Sequence, residues 1–184
     1  KEVRGTIITG CANLERMTVD ISTDFKNANM LDRTYPSEFT ITRDGDPATY
    51  PNCINCPWYH PDYGTVEVTL ETGITYIPDA MFMNVTNLTS VTLPEGLNYI
   101  GAFAFSGCTA LTSLDLPSTF TLFGSYSLQY SGLTSITFPA GATAYNDAFT
   151  GDYITSVTLT GDIGRSFEDD YAAMPWFRTS APSV

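Results

Sequence analysis

The hydrophobic and polar positions of this chain follow one short pattern that keeps returning. Leu88-Thr89-Ser90-Val91-Thr92-Leu93-Pro94 comes back as Leu111-Thr112-Ser113-Leu114-Asp115-Leu116-Pro117, as Leu133-Thr134-Ser135-Ile136-Thr137-Phe138-Pro139 and as Ile154-Thr155-Ser156-Val157-Thr158-Leu159. The steps between copies are 23, 22 and 21 residues. Val66-Glu67-Val68-Thr69-Leu70 fits the same frame 23 residues before the first copy, with Thr65 in the first Leu slot. Alternation within a copy predicts a short strand, with Val91 and Leu93 turned in and Ser90 and Thr92 turned out. A proline just past the strand, such as Pro94 or Pro117, suits a corner of the chain path.

A second half-pattern travels with the first. The slot of Ile77 holds Ile100, Phe123 and Tyr145 in later units; the slot of Phe82 holds Phe105, Leu128 and Phe149. The slot between them and next to the latter holds Met81, Ala104, Ser127 and Ala148. At the N-terminus Val3, Ile7, Ile8, Gly10, Cys11, Leu14, Met17 and Val19 fall on Ile100 through Leu116 at a constant offset of 97, so the chain starts part-way through a unit. A unit of this length cannot bury its own apolar side. Stacking of units places equivalent residues above one another and makes one shared core, with Phe82, Phe105, Leu128 and Phe149 as its spine. Coils about 4.8 Å apart make a slab roughly 25–30 Å long.

Residues 21–64 break the pattern. Glu38-Phe39-Thr40-Ile41-Thr42 alternates like a strand, and Ile41 lies 22 residues after Val19. The stretch reads as a degenerate coil with a long excursion over residues 43–63, rich in Pro, Asn and Asp. An excursion of that length is expected to be functional or tied down. Pro57-Trp58-Tyr59 would pack as an aromatic plug. Pro175-Trp176-Phe177, reached by a short helix over Phe167 to Met174, would cap the last coil, because a stack needs its end covered. The polar tail, 179–184, is expected to fray.

The unit from Leu88 through Cys108, including Ile100-Gly101-Ala102-Phe103-Ala104-Phe105-Ser106-Gly107-Cys108, resembles the BspA-like class of bacterial leucine-rich repeats. The resemblance covers about residues 3–20 and 65–165, and it weakens where Asn146 replaces the Gly and Thr160 the Pro. It implies a β-rich leucine-rich-repeat solenoid: a right-handed coil stack with short parallel strands on one face and few helices. The expected organisation is one domain over 1–184, with a partial repeat at 3–20, the degenerate repeat at 21–64, regular repeats at 65–165 and a cap and tail at 166–184. It also implies association with cell surfaces and adhesion to host proteins or other cells.

Composition narrows the remaining choices. Eight Lys+Arg stand against 20 Asp+Glu, a net charge of −12. Such a chain has no counterion-release term with which to hold phosphates, which argues against nucleic acid, and it is repelled by anionic lipid. No apolar run reaches the ~20 residues needed to span a bilayer. No signal peptide opens the sequence, which leaves secretion open.

Candidate chemistry is thin. Cys11 and Cys108 share a repeat slot and read as small buried thiols. Cys53-Ile54-Asn55-Cys56 with His60 has the spacing of half a zinc site, but no second pair follows. A local disulfide, a redox pair or two plain thiols are the other readings of Cys53 and Cys56. Asp44-Gly45-Asp46 and Glu168-Asp169-Asp170 are solvated acidic turns that lack the ligand count of a calcium loop. His60 is the only imidazole, so any Ser–His or Cys–His machine must use it. Asn84-Val85-Thr86 and Asn87-Leu88-Thr89 match the glycosylation acceptor pattern, as any Asn- and Thr-rich repeat will by chance.

The outward strand positions are the candidate binding face: Arg16 and Thr18 at the start, then Glu67, Thr69, Ser90, Thr92, Ser113, Asp115, Ser135, Thr137, Ser156 and Thr158. They form a hydroxyl-rich ladder, which either keeps a flat sheet soluble or offers a shallow docking surface. The expected protein is a non-catalytic extracellular or cell-surface module, without cofactor or metal, that binds an extracellular protein or glycan. A structural spacer and an extracellular polymer hydrolase are the alternatives. A pocket with His60 or two facing carboxylates would favour the hydrolase, aromatic residues exposed on the sheet the binder, and a featureless sheet the spacer.

Overall fold

A computed structural model of the chain describes residues 65–145 and 147–161 in full, together with the backbone of four strands upstream of them. The readings made for Cys11, for the excursion with Cys53, Cys56 and His60, for both aromatic plugs and for the C-terminal cap fall outside the described residues.

Two kinds of strand recur along the coil. The longer ones are β2 (Arg16–Asp20), β4 (Glu38–Thr42), β5 (Val66–Leu70), β7 (Leu88–Thr92), β10 (Ser135–Phe138) and β12 (Ser156–Leu159). The two-residue ones are β1 (Ile8–Thr9), β3 (Leu31–Asp32), β6 (Tyr76–Ile77), β8 (Tyr99–Ile100), β9 (Leu122–Phe123) and β11 (Thr143–Ala144). All pairings are parallel, and the sheets run β2-β4-β5-β7, β10-β12, β6-β8-β9-β11 and β1-β3. Every pairing joins a strand to its equivalent in a neighbouring coil, the signature of a parallel-strand solenoid. No helix occurs among the described residues. The degenerate coil joins the stack as its spacing implies: Ile41 sits opposite Val19, and Thr40 opposite Thr18.

One core runs through the coils. Val68, Val91, Leu114 and Ile136 enter it from the sheet side; Ile77, Ile100 and Phe123 from the short strands; Met81, Ala104, Ser127 and Ala148 from the turns. Phe82, Phe105 and Leu128 are fully buried in a column, and Phe149 packs half-buried below them. The Phe82 and Phe105 rings stack at 5.1 Å and 7°. Phe149 instead meets Phe123 edge-on at 5.1 Å and lies 5.9 Å from Phe138. Leu93, expected inside, is half-buried.

A ribbon of turns follows each short strand and does the work a helix does elsewhere. Alternate N–H groups bond within the coil, as Met81 to Pro78 and Met83 to Ala80. The others reach the next coil: Ala80 to the Ala102 carbonyl, Phe82 to Ala104, Asn84 to Ser106. This satisfies the buried backbone without regular secondary structure. The ribbon needs left-handed residues at two repeating places. Ala80, Phe103 and Tyr126 have φ of 55°, 58° and 54°; Asn84, Gly107, Tyr130 and Gly151 have φ of 61°, 75°, 52° and 81°. Left-handed residues in two columns break any helical run, which is why the Ala-Phe-rich segment is not helical.

Threonine hydroxyls tie successive coils. Thr89, Thr109, Thr121, Thr134, Thr143, Thr155 and Thr160 each donate to a backbone carbonyl one coil earlier. Thr119 holds two such links: its hydroxyl donates to the Leu97 carbonyl at 2.9 Å and accepts the Gly96 N–H at 2.9 Å. Thr119→Val is expected to cost about 1–2 kcal/mol, measured as a lower urea midpoint at unchanged slope. An unchanged midpoint would show that water replaces both bonds without loss.

Three details depart from the repeat frame. Val66, not Thr65, sits opposite Leu88, because the register shifts between Val66 and Glu67 and Thr65 is left exposed. The bulge turns Val66 and Leu88 inward together, so burial decides the pairing. Ala144, not Tyr145, pairs with Phe123, and Tyr145 is exposed. The Phe149 ring packs edge-on against Phe123 at 5.1 Å. Finally, no strand forms over residues 111–117, where one was expected.

Candidate functional site

The face carried by the longer strands presents the expected side chains in register. Glu67 sits opposite Ser90 and Thr69 opposite Thr92; Ser135 sits opposite Ser156 and Thr137 opposite Thr158. Glu67, Thr69, Ser90, Thr92, Ser113, Asp115, Ser156 and Thr158 are exposed, while Ser135 and Thr137 are half-buried. Register adds two positions missed in the sequence, Glu38 and Thr40, opposite Glu67 and Thr69. The signal was present: aligning Ile41 with Val19 already places Thr40 beside Thr18.

Between β7 and β10 the ladder lapses. Neither backbone nor side chain of Ser113, Leu114, Asp115 or Leu116 forms a hydrogen bond among the described residues. Leu114 still turns into the core, so the coil keeps its place while its backbone pairing is lost. Neighbouring coils hold β-branched Thr92, Thr137 and Thr158 where this one holds Asp115. Aspartate is depleted in strands because its short polar chain competes for local backbone groups. The next unit is also one residue shorter, which works against register.

The lapse opens a notch of about 140 Å³ lined by Ser113, Leu114, Asp115, Ser135, Ile136, Thr137 and Thr158. Five of the ten expected face residues therefore line one concavity, and Glu67, Thr69, Ser90, Thr92 and Ser156 lie outside it. The notch holds one carboxylate, Asp115, and no His or Cys. It lacks the facing pair of carboxylates that acid–base hydrolysis of a glycoside uses.

Charge around the notch is one-sided. Residues 65–161 contain seven carboxylates (Glu67, Glu71, Asp79, Glu95, Asp115, Asp147 and Asp152) and no Lys, Arg or His. All eight cationic residues lie at positions 1–43 or 165–178. Summing charge over the whole chain hides this separation. No cluster of His, Cys, Asp and Glu able to hold a metal occurs among the described residues. Cys108 is buried, its thiol donates to the Phe82 carbonyl at 2.9 Å, and burial pushes its pKa up. A protonated, enclosed thiol is neither nucleophile nor ligand.

The exposed large apolar side chains lie elsewhere. Met83, Phe103, Tyr130, Tyr145 and Tyr153 sit in turns and connections, and Leu159 at the end of β12. Phe103 stacks on Tyr126 at 5.1 Å along the turn edge. The sheet face carries no exposed aromatic ring among the described residues.

Residues 61–170 match the family model described as BspA type leucine-rich repeat region, in six copies. The chain is also similar in fold to the crystal structure of a leucine-rich repeat protein from Bacteroides ovatus ATCC 8483. The TM-score is 0.50 at 24% identity, over 78% of this chain and 33% of that one. This chain thus spans about a third of that protein's. No curated protein matches. No helix among the described residues is long and apolar enough to cross a membrane.

Proposed function

This chain belongs to the BspA-type leucine-rich repeat family, and from that premise we propose that it is a non-catalytic module of an extracellular or cell-surface protein, binding a protein partner through its parallel-strand face. The family's repeats are typical of bacterial surface proteins and of protein-interaction modules. The observation that carries the reading is the notch in an otherwise shallow hydroxyl-lined face. Its volume lies well below the ~300–1,000 Å³ of a small-molecule pocket, so it admits one side chain of something larger. A glycan is less well served, because no ring among the described residues of that face is exposed to stack against a sugar. Affinity would come from a few central contacts on a rigid surface that loses little entropy on binding.

The test is a binding panel of purified extracellular proteins, run with the full chain, with Thr92→Arg/Thr137→Arg, and with Tyr130→Ser on the turn edge. The expected result is at least one partner that the sheet-face variant loses and the turn-edge variant keeps. Loss by the turn-edge variant alone would move the binding surface to the other side. No partner at all would favour the second reading, a spacer that displays other domains, which the lack of exposed aromatic residues among the described residues of the sheet supports.

A further inference from the structure

We infer that the notch between Asp115 and Thr137 is the seat of an arginine side chain from a basic segment of the partner. The inference deepens the docking role proposed for the sheet face and rests on it. Three independent features converge. First, the notch has the capacity for one side-chain head and is lined mainly by oxygen-bearing groups, Ser113, Asp115, Ser135, Thr137 and Thr158. Second, the backbone of Ser113 to Leu116 is unpaired among the described residues, so its carbonyls, like its N–H groups, have no partner in a neighbouring coil. Third, residues 65–161, the stretch that carries the notch, contain seven carboxylates and no Lys, Arg or His of their own.

A cationic donor answers all three. Carboxylate, hydroxyl and carbonyl oxygens all accept, and guanidinium presents five N–H donors with no acceptor in a planar fork. It is also less strongly hydrated than ammonium, so seating it costs less desolvation than seating lysine. The negative charge of the repeats raises the local concentration of a basic partner and speeds encounter, more so at low salt. An acidic or phosphorylated partner would meet repulsion at Asp115 and Glu67, the two carboxylates that the face carries within residues 65–161.

The experiment is an NMR titration of the full chain with three capped tripeptides, acetyl-Gly-Arg-Gly-amide, acetyl-Gly-Lys-Gly-amide and acetyl-Gly-Gln-Gly-amide. Expected are saturable shifts confined to residues 113–116, 135–137 and 158, strongest for the arginine peptide and absent for the glutamine peptide. Asp115→Asn is expected to weaken arginine binding about five-fold, the range of a solvent-accessible ion pair. Glu95→Gln, whose carboxylate bonds Ser118 away from the notch, is expected to leave it unchanged. Shifts spread over all seven carboxylates, or an unaltered response in Asp115→Asn, would overturn the inference. So would self-association by sedimentation that Asp115→Asn abolishes, because a second copy would then fill the notch through one of its own arginines. If the peptide fails yet Thr92→Arg/Thr137→Arg still abolishes capture of a panel protein, the sheet-face role stands and only the arginine seat falls. If the peptide binds while that variant captures its partner normally, the sheet-face role falls instead.

Discussion

Phe105→Ala is expected to destabilise the chain by about 3–5 kcal/mol, the cost of deleting a fully buried aromatic ring from a core. Phe105 is wholly enclosed and lies flat on Phe82 in the coil before it, with Leu128 next in the column. Its removal opens a void shared by three coils. The backbone around it is fixed by bonds from Phe105 to Ser127 and from Phe82 to Ala104, so the turns have little freedom to close the gap. In a stack whose stability is a sum over neighbouring units, losing the contact between units matters as much as losing the unit itself. Urea unfolding followed by circular dichroism reads the effect. A shallower or two-step transition would mean that the void uncouples the stack at that coil. A loss below about 1 kcal/mol would mean that Phe105 is not part of a packed column. Phe103→Ala, two residues away but partly exposed on the turn edge, is the matched control with a small expected effect.

Gly101→Ala is expected to cost about 2–3 kcal/mol for a different reason, overpacking of backbone against backbone. A Cβ on Gly101 would lie 2.6 Å from the Asp79 nitrogen and 2.7 Å from the Pro78 carbonyl carbon of the preceding coil. A Cβ on Gly124, one unit on, would likewise lie 2.8 Å from the Ala102 nitrogen. Neither glycine is needed for a left-handed backbone; each is needed because two coils touch there. The collision is with main chain, which cannot swing aside as a flexible side chain would. The Gly101 N–H also donates to the Ile77 carbonyl at 2.8 Å, a bond that any local separation of coils lengthens. The measurement is the thermal midpoint of the variant against that of Gly96→Ala, where a Cβ meets nothing within 4 Å and only the φ of +99° is strained. Equal losses in the two variants would show that close coil contact is not what Gly101 provides.

Much of this architecture was legible in the sequence. The steps between copies gave the stacking order, and the fixed slots named the buried column from Phe82 to Leu128. The outward slots named the sheet face. The Gly of the Ile-Gly-x-x-Ala-Phe segment was visible as a motif, but its purpose required the facing coil. The candidate site was legible only as a list of ten positions. Which five of them share a notch depends on where the ladder fails, and that failure is a property of three coils at once. The charge separation needed no structure, only a count over the repeats in place of the whole chain.

By itself the sequence determined which side each residue takes, because side-chain direction in a pleated strand follows from position alone. Only the tertiary structure decided how each coil meets the next. The pairing of Ala144 in place of Tyr145 and the unpaired stretch from Ser113 to Leu116 arise where units of unequal length must share one register, and the bulge beside Leu88 where burial of Val66 sets the pairing. Hydrogen bonds between coils join residues twenty or more positions apart, so no local pattern encodes them. The turn ribbon with its two left-handed columns has the same origin, since its alternate N–H groups find partners only once the next coil is in place.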